Sequence, residues 1–341
     1  MKKSFVILVL LGCAVLVFGG GGREAAPDAV RPVVMRIATI EPSQNLGAVA
    51  VDRFGEIMKE RTDGGFVVDS YHDSQLGGTD RLLEQVQTGA LQAWRGSISA
   101  LGRLKGDMVI AEFIYLFDNA EEAETIIRGD TIGAINEAIA DEFGIKFVTA
   151  SWTRLPRHII SKNPVTNIDE LRGMLIRVPD ARAYIESFRH MGAVPTPVAF
   201  TETYLALRQG VVDGAENHIE SLYNMKWHEV AHHVALTYHS FDTTGFVVNV
   251  DWWNSLSEEY KELFLEVDAE VNEWWVEQQD DIVDDYMEKM RVEQGVEFHT
   301  VDVDSFRERV IPDAAMAVEA AGFWSEGLFE KVLDELRELR N

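Results

Sequence analysis

Two α/β lobes tied together by one long helix are what the sequence predicts, on three observations. The chain has 341 residues, enough for about two domains at roughly 150 residues each. Strand-like and helix-like segments alternate along most of it, the pattern of βαβ units and a largely parallel sheet. Near the end, residues 257–290 form one acidic helical pattern long enough to run across two domains. No repeat, low-complexity block or single linker divides the chain, which favours lobes crossed by more than one strand over beads on a string.

Composition narrows the class. Lys and Arg number 31 against 57 Asp and Glu, a formal net charge of −26. That balance repels nucleic-acid phosphates and an anionic membrane surface alike, so nucleic-acid binding is excluded. Hydrophobic residues at 46% and aromatics at 10%, with 8 Trp and 17 Phe, are too abundant for a disordered acidic chain.

The elements follow in order. Lys2 and Lys3, an uncharged run from Ser4 to Phe18 and the small residues Gly19 to Gly22 have the layout of a secretory signal peptide, so residues 1–22 are expected to be an export signal. The run is shorter than the ~20 apolar residues of a membrane span. Cleavage near Gly20 gives a soluble product. Alternatively, Leu10-Leu11-Gly12-Cys13 resembles a lipoprotein box that would leave a lipid anchor on Cys13. That residue is the one cysteine, so disulfides, thiolate catalysis and Cys-based metal sites are excluded from the body of the chain.

After a polar linker over 23–32, residues 33–40 read as the first strand. Leu46, Val49, Phe54, Ile57 and Met58 recur at helical spacing, and 66–68 read as the second strand. Gly77-Gly78 breaks the chain before a helix over 80–87. Further strands are expected over 110–116, 145–149, 174–178 and 246–250, and further helices over 120–140, 181–190, 202–209 and 221–234. In the long helical pattern, Tyr260, Phe264, Val267, Val271, Trp274, Trp275, Ile282 and Met287 mark the apolar side.

Two constellations carry chemistry. His228-Glu229-Val230-Ala231-His232 is a formal H-E-x-x-H, which on a helix places two imidazoles one turn apart beside a general base, the arrangement of a zinc hydrolase. No third ligand stands at a defensible spacing, and the plainer reading is an amphipathic helix whose histidines face water. The second constellation consists of arginines at strand ends. In Leu175-Ile176-Arg177-Val178-Pro179, alternation turns Arg177 away from Ile176 and Val178, at the carboxyl end of a strand where open α/β sheets bind ligands. Its guanidinium suits a carboxylate held by two parallel hydrogen bonds, or else a structural pair with one of the many acids. Arg154 and Arg157 flank Leu155-Pro156 just after Trp152. Asp213-Gly214-Ala215-Glu216-Asn217 is a tight turn followed by an acceptor and an amide. Phe200, Tyr204 and Pro195-Thr196-Pro197 suit an aromatic pocket wall, although core packing is the commoner fate of such residues. There is no G-x-S-x-G, phosphate loop or dinucleotide fingerprint.

These stretches in order, from about Val34 to the C-terminal helices, resemble the solute-binding proteins of tripartite ATP-independent periplasmic (TRAP) transporters. The most specific part is Arg157-His158-Ile159-Ile160-Ser161-Lys162-Asn163-Pro164-Val165, followed by Asp169-Glu170-Leu171-Arg172-Gly173-Met174-Leu175-Ile176-Arg177-Val178-Pro179. It continues through Gly192 to Phe200, Tyr204 to Gly210 and Val212 to Asn217, and Ser74-Gln75-Leu76-Gly77-Gly78 fits earlier in the chain.

The resemblance implies a two-lobed periplasmic-binding-protein-like fold with a ligand cleft between the lobes and a long C-terminal helix crossing both. Lobe I would comprise 33–153 with 243–282, and lobe II 154–242 with 283–341. A small organic acid would be clamped without cofactor or catalysis and delivered to the small and large subunits of a membrane permease. The protein would be a periplasmic monomer. Carried over residue by residue, Arg177 is the main carboxylate anchor, Arg157 a second pocket arginine, Asn217 a ligand contact and Phe200 an aromatic wall. Trp152, Arg154, Asp180, Glu216, Trp94 and Ser97 complete the expected ligand-binding set. Leu155 replaces a glycine common in the family, Arg154 is added, and Asp180 stands where a sialic-acid binder would carry Asn. C4-dicarboxylates, sugar acids, 2-oxo acids and sialic acids all share the carboxylate that Arg177 would hold. The resemblance also places 228–233 on a helix away from the cleft.

Overall fold

The computed structural model describes residues 31–341; the expected export signal, with Cys13 and its alternative cleavage routes, lies outside them. β1 (Val33–Ala38), α1 (Leu46–Arg61) and β2 (Phe66–Tyr71) form a βαβ unit with parallel strands. α2 (Thr79–Gln87) leads to β3 (Ala93–Ser97), parallel to β1 on its other side. Two 3-10 turns follow, and the second, Gly106–Glu112, takes in the start of the strand expected over 110–116. Every residue from Ile110 to Leu116 except Glu112 is apolar, and an unbroken buried run has no period to distinguish a strand from a packed loop.

α3 (Ala120–Ile127) and α4 (Asp130–Phe143) replace the single helix expected over 120–140. Extended backbone at Gly129 divides them, and the Asn119 side chain caps α3 by accepting from the Glu122 amide. β4 (Ile145–Phe147) and β5 (Trp152–Thr153) follow. The chain then enters a second sheet through β6 (Arg157–Ser161), β7 (Leu175–Val178), α5 (Arg182–His190), β8 (Val194–Pro197), α6 (Thr203–Gln209), β9 (Gly214–His218), α7 (Ile219–Asn224) and β10 (His233–Leu236). It returns to the first sheet with β11 (Thr243–Asn249) and α8 (Val250–Ser255). α9 (Glu258–Gln294), β12 (Glu297–Thr300), α10 (Val303–Val310), α11 (Asp313–Ala320) and α12 (Leu328–Leu339) complete the fold.

The first sheet runs β2-β1-β3-β11-β4, with β5 also on β11, and the second β12-β10-β6-β9-β7-β8. Both are mixed rather than largely parallel. β11, which returns from the second sheet, lies antiparallel to β3, β4 and β5, and β6 lies antiparallel to β9 and β10.

α9 is the tie between the sheets. Ser257 caps its start by accepting from the Tyr260 amide, and Gly295 ends it with φ +66. Its 37 residues span about 55 Å. Phe264, Val267, Val271 and Trp275 pack with Phe54 and Phe246 beside the first sheet. Met287 and Met290 pack with Leu207, Ile219 and Val234 beside the second. α11 lies against α5, whereas α12 packs on α3, where Arg340 forks onto Glu122 at 2.7 and 2.8 Å. Among the described residues no helix is long and apolar enough to cross a membrane.

Candidate functional site

Residues at the carboxyl ends of β1, β3 and β7, together with Asn217 of β9, line one cleft of about 600 Å³. Arg177 comes from β7, whose parallel pairing with β8 and β9 sets it level with Thr196 and Ala215. Its Nε donates to the Val198 carbonyl at 2.8 Å, and Nη1 lies 3.7 Å from Glu216. Neither Nη atom makes a hydrogen bond among the described residues. Burial lowers its pKa to about 10 against the pull of Glu216, so the group stays charged at neutral pH.

Arg157 of β6 is held differently. Its Nε and Nη2 donate to the two Glu216 oxygens at 2.6 and 2.8 Å, a bidentate pair, which leaves Nη1 facing Glu112 at 3.7 Å. Glu216 is fully buried and also meets His239 at 3.2 Å. Burial pushes its pKa up, but Arg157 and His239 outweigh this and bring it to about 2. Glu216 therefore sits behind the cleft, holding the arginines in place. Asn217 lines the cleft; its Oδ1 accepts from the His218 amide and its Nδ2 makes no hydrogen bond among the described residues. Phe200 is half-buried in the wall, edge-on to Trp227 at 5.8 Å, and Asp180 stands exposed at the rim.

On the opposite wall, Arg95 is fully buried, donating to Glu41 at 2.6 Å and to Thr244 Oγ1 at 2.8 Å. Gly47 makes room for this pair: a Cβ there would lie 2.1 Å from Arg95 Nη1 and 2.2 Å from Glu41 Oε2. Arg154 pairs with the other Glu41 oxygen and lies 3.9 Å from Asp242. Trp94 and Ser97 line the same wall. Trp152 does not reach the cleft. It is fully buried, stacked on Trp275 with centroids 6.1 Å apart, and its ring lies 5.6 Å from the Arg95 guanidinium, so it packs the arginine from behind.

Glu41, Glu112, Tyr184 and Asp242 are among the cleft residues that escape the sequence reading. Glu112 has a recognisable signal, being the one charged residue in the apolar run 108–117. Ser97 donates to it at 3.1 Å, and Ser99 and the Tyr184 hydroxyl also donate to it. Burial, reinforced by Asp242, raises its pKa to about 7 although Arg157 opposes the rise. At neutral pH it is poised between acceptor and donor.

The H-E-x-x-H does not form the helical pair that a zinc hydrolase needs. The helix expected over 221–234 ends with α7; Trp227–Glu229 is a 3-10 turn, and His233 already begins β10. His228 is buried and stacks on Tyr223 with centroids 4.8 Å apart, His232 is exposed, and Glu229 accepts from the Tyr204 hydroxyl at 3.3 Å. The segment 228–233 is thus a turn leading into a strand, where a helix was expected.

Comparison with known proteins agrees with this architecture. Residues 37–320 match the family model described as DctP, bacterial extracellular solute-binding protein, family 7. The C4-dicarboxylate-binding periplasmic protein DctP of Rhodobacter capsulatus is 26% identical over 235 residues, 68% of this chain and 69% of that protein. A TRAP periplasmic solute-binding protein from Ochrobacterium anthropi, with bound L-fuconate, superposes with a TM-score of 0.81 at 26% identity, covering 89% of this chain and 99% of that one. Another from Pseudomonas putida F1, with bound D-glucuronate, gives 0.79 at 25% identity, covering 88% and 96%.

Proposed function

The chain belongs to bacterial extracellular solute-binding protein family 7, as a TRAP-type receptor for small organic acids, and from that premise we propose that its solute carries one carboxylate and several hydroxyls, as a sugar acid does. One observation carries this reading: among the described residues, Arg177 is the guanidinium lining the cleft that makes neither a hydrogen bond nor an ion pair under 3.7 Å to a carboxylate. Arg157 is forked by Glu216, Arg95 and Arg154 share Glu41, and Arg103 at the mouth pairs with Asp80 at 2.7 Å. A solute carboxylate therefore finds two free Nη atoms at Arg177 and a third at Arg157. A second carboxylate would meet Glu41, Glu112, Asp180 and Asp242 instead, which favours hydroxyls at the far end of the solute. Ser97, Ser99 and Thr39 supply partners for them.

Ligand-binding roles follow in that order. Arg177 anchors, Arg157 adds charge, Asn217 Nδ2 orients, Phe200 and Trp94 exclude water, and Asp180 and Ser97 read hydroxyls. Residues 33–153 with 243–282 act as one lobe and 154–242 with 283–341 as the other, with α12 reaching back onto α3. Several contacts tie the two sides: Tyr184 to Glu112, Glu220 Oε1 accepting from the Leu46 amide at 2.6 Å, and Asn224 donating to Asn45 at 2.8 Å. They support a closed form favoured by a solute that touches both walls. The receptor works as an exported monomer, binds without catalysis, and passes its cargo to the small and large permease subunits.

Calorimetric titration of the mature protein tests the solute class. D-glucuronate and L-fuconate are expected to bind, neutral glucose not to bind, and succinate to bind at least tenfold more weakly. Succinate binding tighter than either sugar acid overturns the one-carboxylate reading.

A further inference from the structure

Away from the cleft, at the edge of the second sheet, three side chains converge with the spacing of metal ligands. β12 is the last strand of that sheet and pairs in parallel with β10, setting His233 beside Glu297 and Ala235 beside His299. In-register and i,i+2 positions share a face, so His233, Glu297 and His299 project from the same side. The intervening pair, Val234 and Phe298, points the other way and packs with Met290 and Val296, which clamps the backbone that carries the trio.

The distances are specific. His233 Nδ1 lies 3.1 Å from His299 Nε2 and 3.7 Å from Glu297 Oε2, and His299 Nε2 lies 3.9 Å from the same oxygen. A triangle with those sides has a circumradius of about 2.1 Å, so one point lies at zinc–nitrogen and zinc–oxygen bond length from all three atoms. Both imidazoles are partly buried and the carboxylate is exposed, which leaves an open position for water on the solvent side. A net charge of −26 draws cations toward such a site.

We propose that His233, Glu297 and His299 form a binding site for a borderline divalent cation, zinc first, that staples β12 to β10. Two imidazoles and one carboxylate suit zinc, nickel or copper better than calcium or magnesium, which take oxygen ligands. Binding exchanges the hydrogen bond between the two rings for a bond from each ring to the metal. Because the strand joined in this way follows α9 directly, the ion fixes the point where the long helix hands the chain back to the sheet. The site is independent of the solute cleft.

The experiment uses full-length mature protein without a histidine tag, stripped with EDTA and titrated with zinc chloride at pH 7.5. One saturable site per chain is expected, together with a rise in Tm that EDTA reverses. His233→Ala and His299→Ala should each weaken zinc at least tenfold. His299→Asn, which keeps a polar group at the strand edge, serves should either alanine variant fail to fold. Glu229→Gln, in the H-E-x-x-H segment, should leave zinc affinity unchanged, and sugar-acid affinity should be the same with and without zinc. Crystals soaked in zinc should show anomalous density between the three atoms. Absence of saturable binding, binding indifferent to the His233 and His299 changes, or anomalous density elsewhere each overturns the proposal.

Discussion

Arg95 and Arg177 stand on opposite walls of the same cleft. Both are buried, and burial lowers the pKa of each to about 10. Their surroundings differ in how many donors are already satisfied. Arg95 has Glu41 and Thr244 on its two Nη atoms, with the rings of Trp152 and Trp275 within 5.6 and 5.2 Å. Arg177 has one backbone carbonyl on Nε and no hydrogen bond on either Nη among the described residues. A buried charge without a close partner is costly, so an arriving anion stabilises the Arg177 wall and adds nothing to the Arg95 wall. Identical side chains at equal burial thus divide into a structural member and a binding member, and the free donors distinguish them.

The comparison breaks most easily at Arg95. Arg95→Ala leaves the buried Glu41 with Arg154 as its remaining partner, and breaking a buried pair costs at most about 3–5 kcal/mol. Urea unfolding of the solute-free protein is the measurement, with a loss of that order expected. Gly47→Ala should act in the same direction by forcing the pair apart. Stability equal to wild type in both variants would contradict the structural role.

Arg177→Ala is the mirror experiment. Stability should change little, whereas sugar-acid affinity should fall by about 2–5 kcal/mol, the usual cost of truncating one partner of a buried charge pair. Calorimetry with the folded variant checks this, and Arg177→Lys should recover only part of the loss because an ammonium lacks the fork. If instead Arg95→Ala removed binding while Arg177→Ala removed stability, the two walls would have to be exchanged.

How far the sequence discloses this arrangement depends on what each residue's neighbours are. Arg177 is legible because strand alternation and its position at the end of β7 set its direction. α9 is legible because its apolar side persists over ten turns. Trp152 and Glu216 illustrate the limit. Both belong to the right neighbourhood, yet whether a side chain faces a cleft or backs the residue that does is decided by packing across strands, which no local period records. Glu112 is hidden for a related reason: its run has no alternation, and only its charge marks it. The mixed sheets are equally silent, since the return of β11 is a long-range pairing. The H-E-x-x-H fails because its helix ends at Asn224, where tertiary packing of α7 against α9 overrides the helical spacing.

Glu112 sharpens the contrast between the walls through pH. Its folded pKa of about 7 lies above the ordinary 4.5. The native state therefore favours the protonated form, and the stability this contributes is fully present below about pH 4.5 and lost as pH rises through 7. Asp268, raised to about 7 by burial beside Ser151, behaves alike but lies outside the cleft lining. Glu112→Gln should flatten part of the fall in Tm between about pH 5 and 7, and Asp268→Asn another part. Of the two, Glu112 alone lines the cleft, so anion affinity is expected to decline above pH 7 and Glu112→Gln, not Asp268→Asn, should flatten that decline. A decline unchanged in Glu112→Gln would assign the pH dependence to another group.

The smallest expected effect is at Asn217. Its Oδ1 is already committed to the His218 amide, so a solute gains one neutral hydrogen bond from Nδ2, worth about 0.5–1.5 kcal/mol. Asn217→Ala should weaken sugar acids by that amount. Asn217→Asp should weaken them more, since it replaces a donor with a charge near the solute carboxylate while still accepting from His218. An aspartate variant that binds better than the alanine variant would mean that this residue meets a hydroxyl at the far end of the solute, and that the carboxylate lies further from β9 than Arg157 and Arg177 imply.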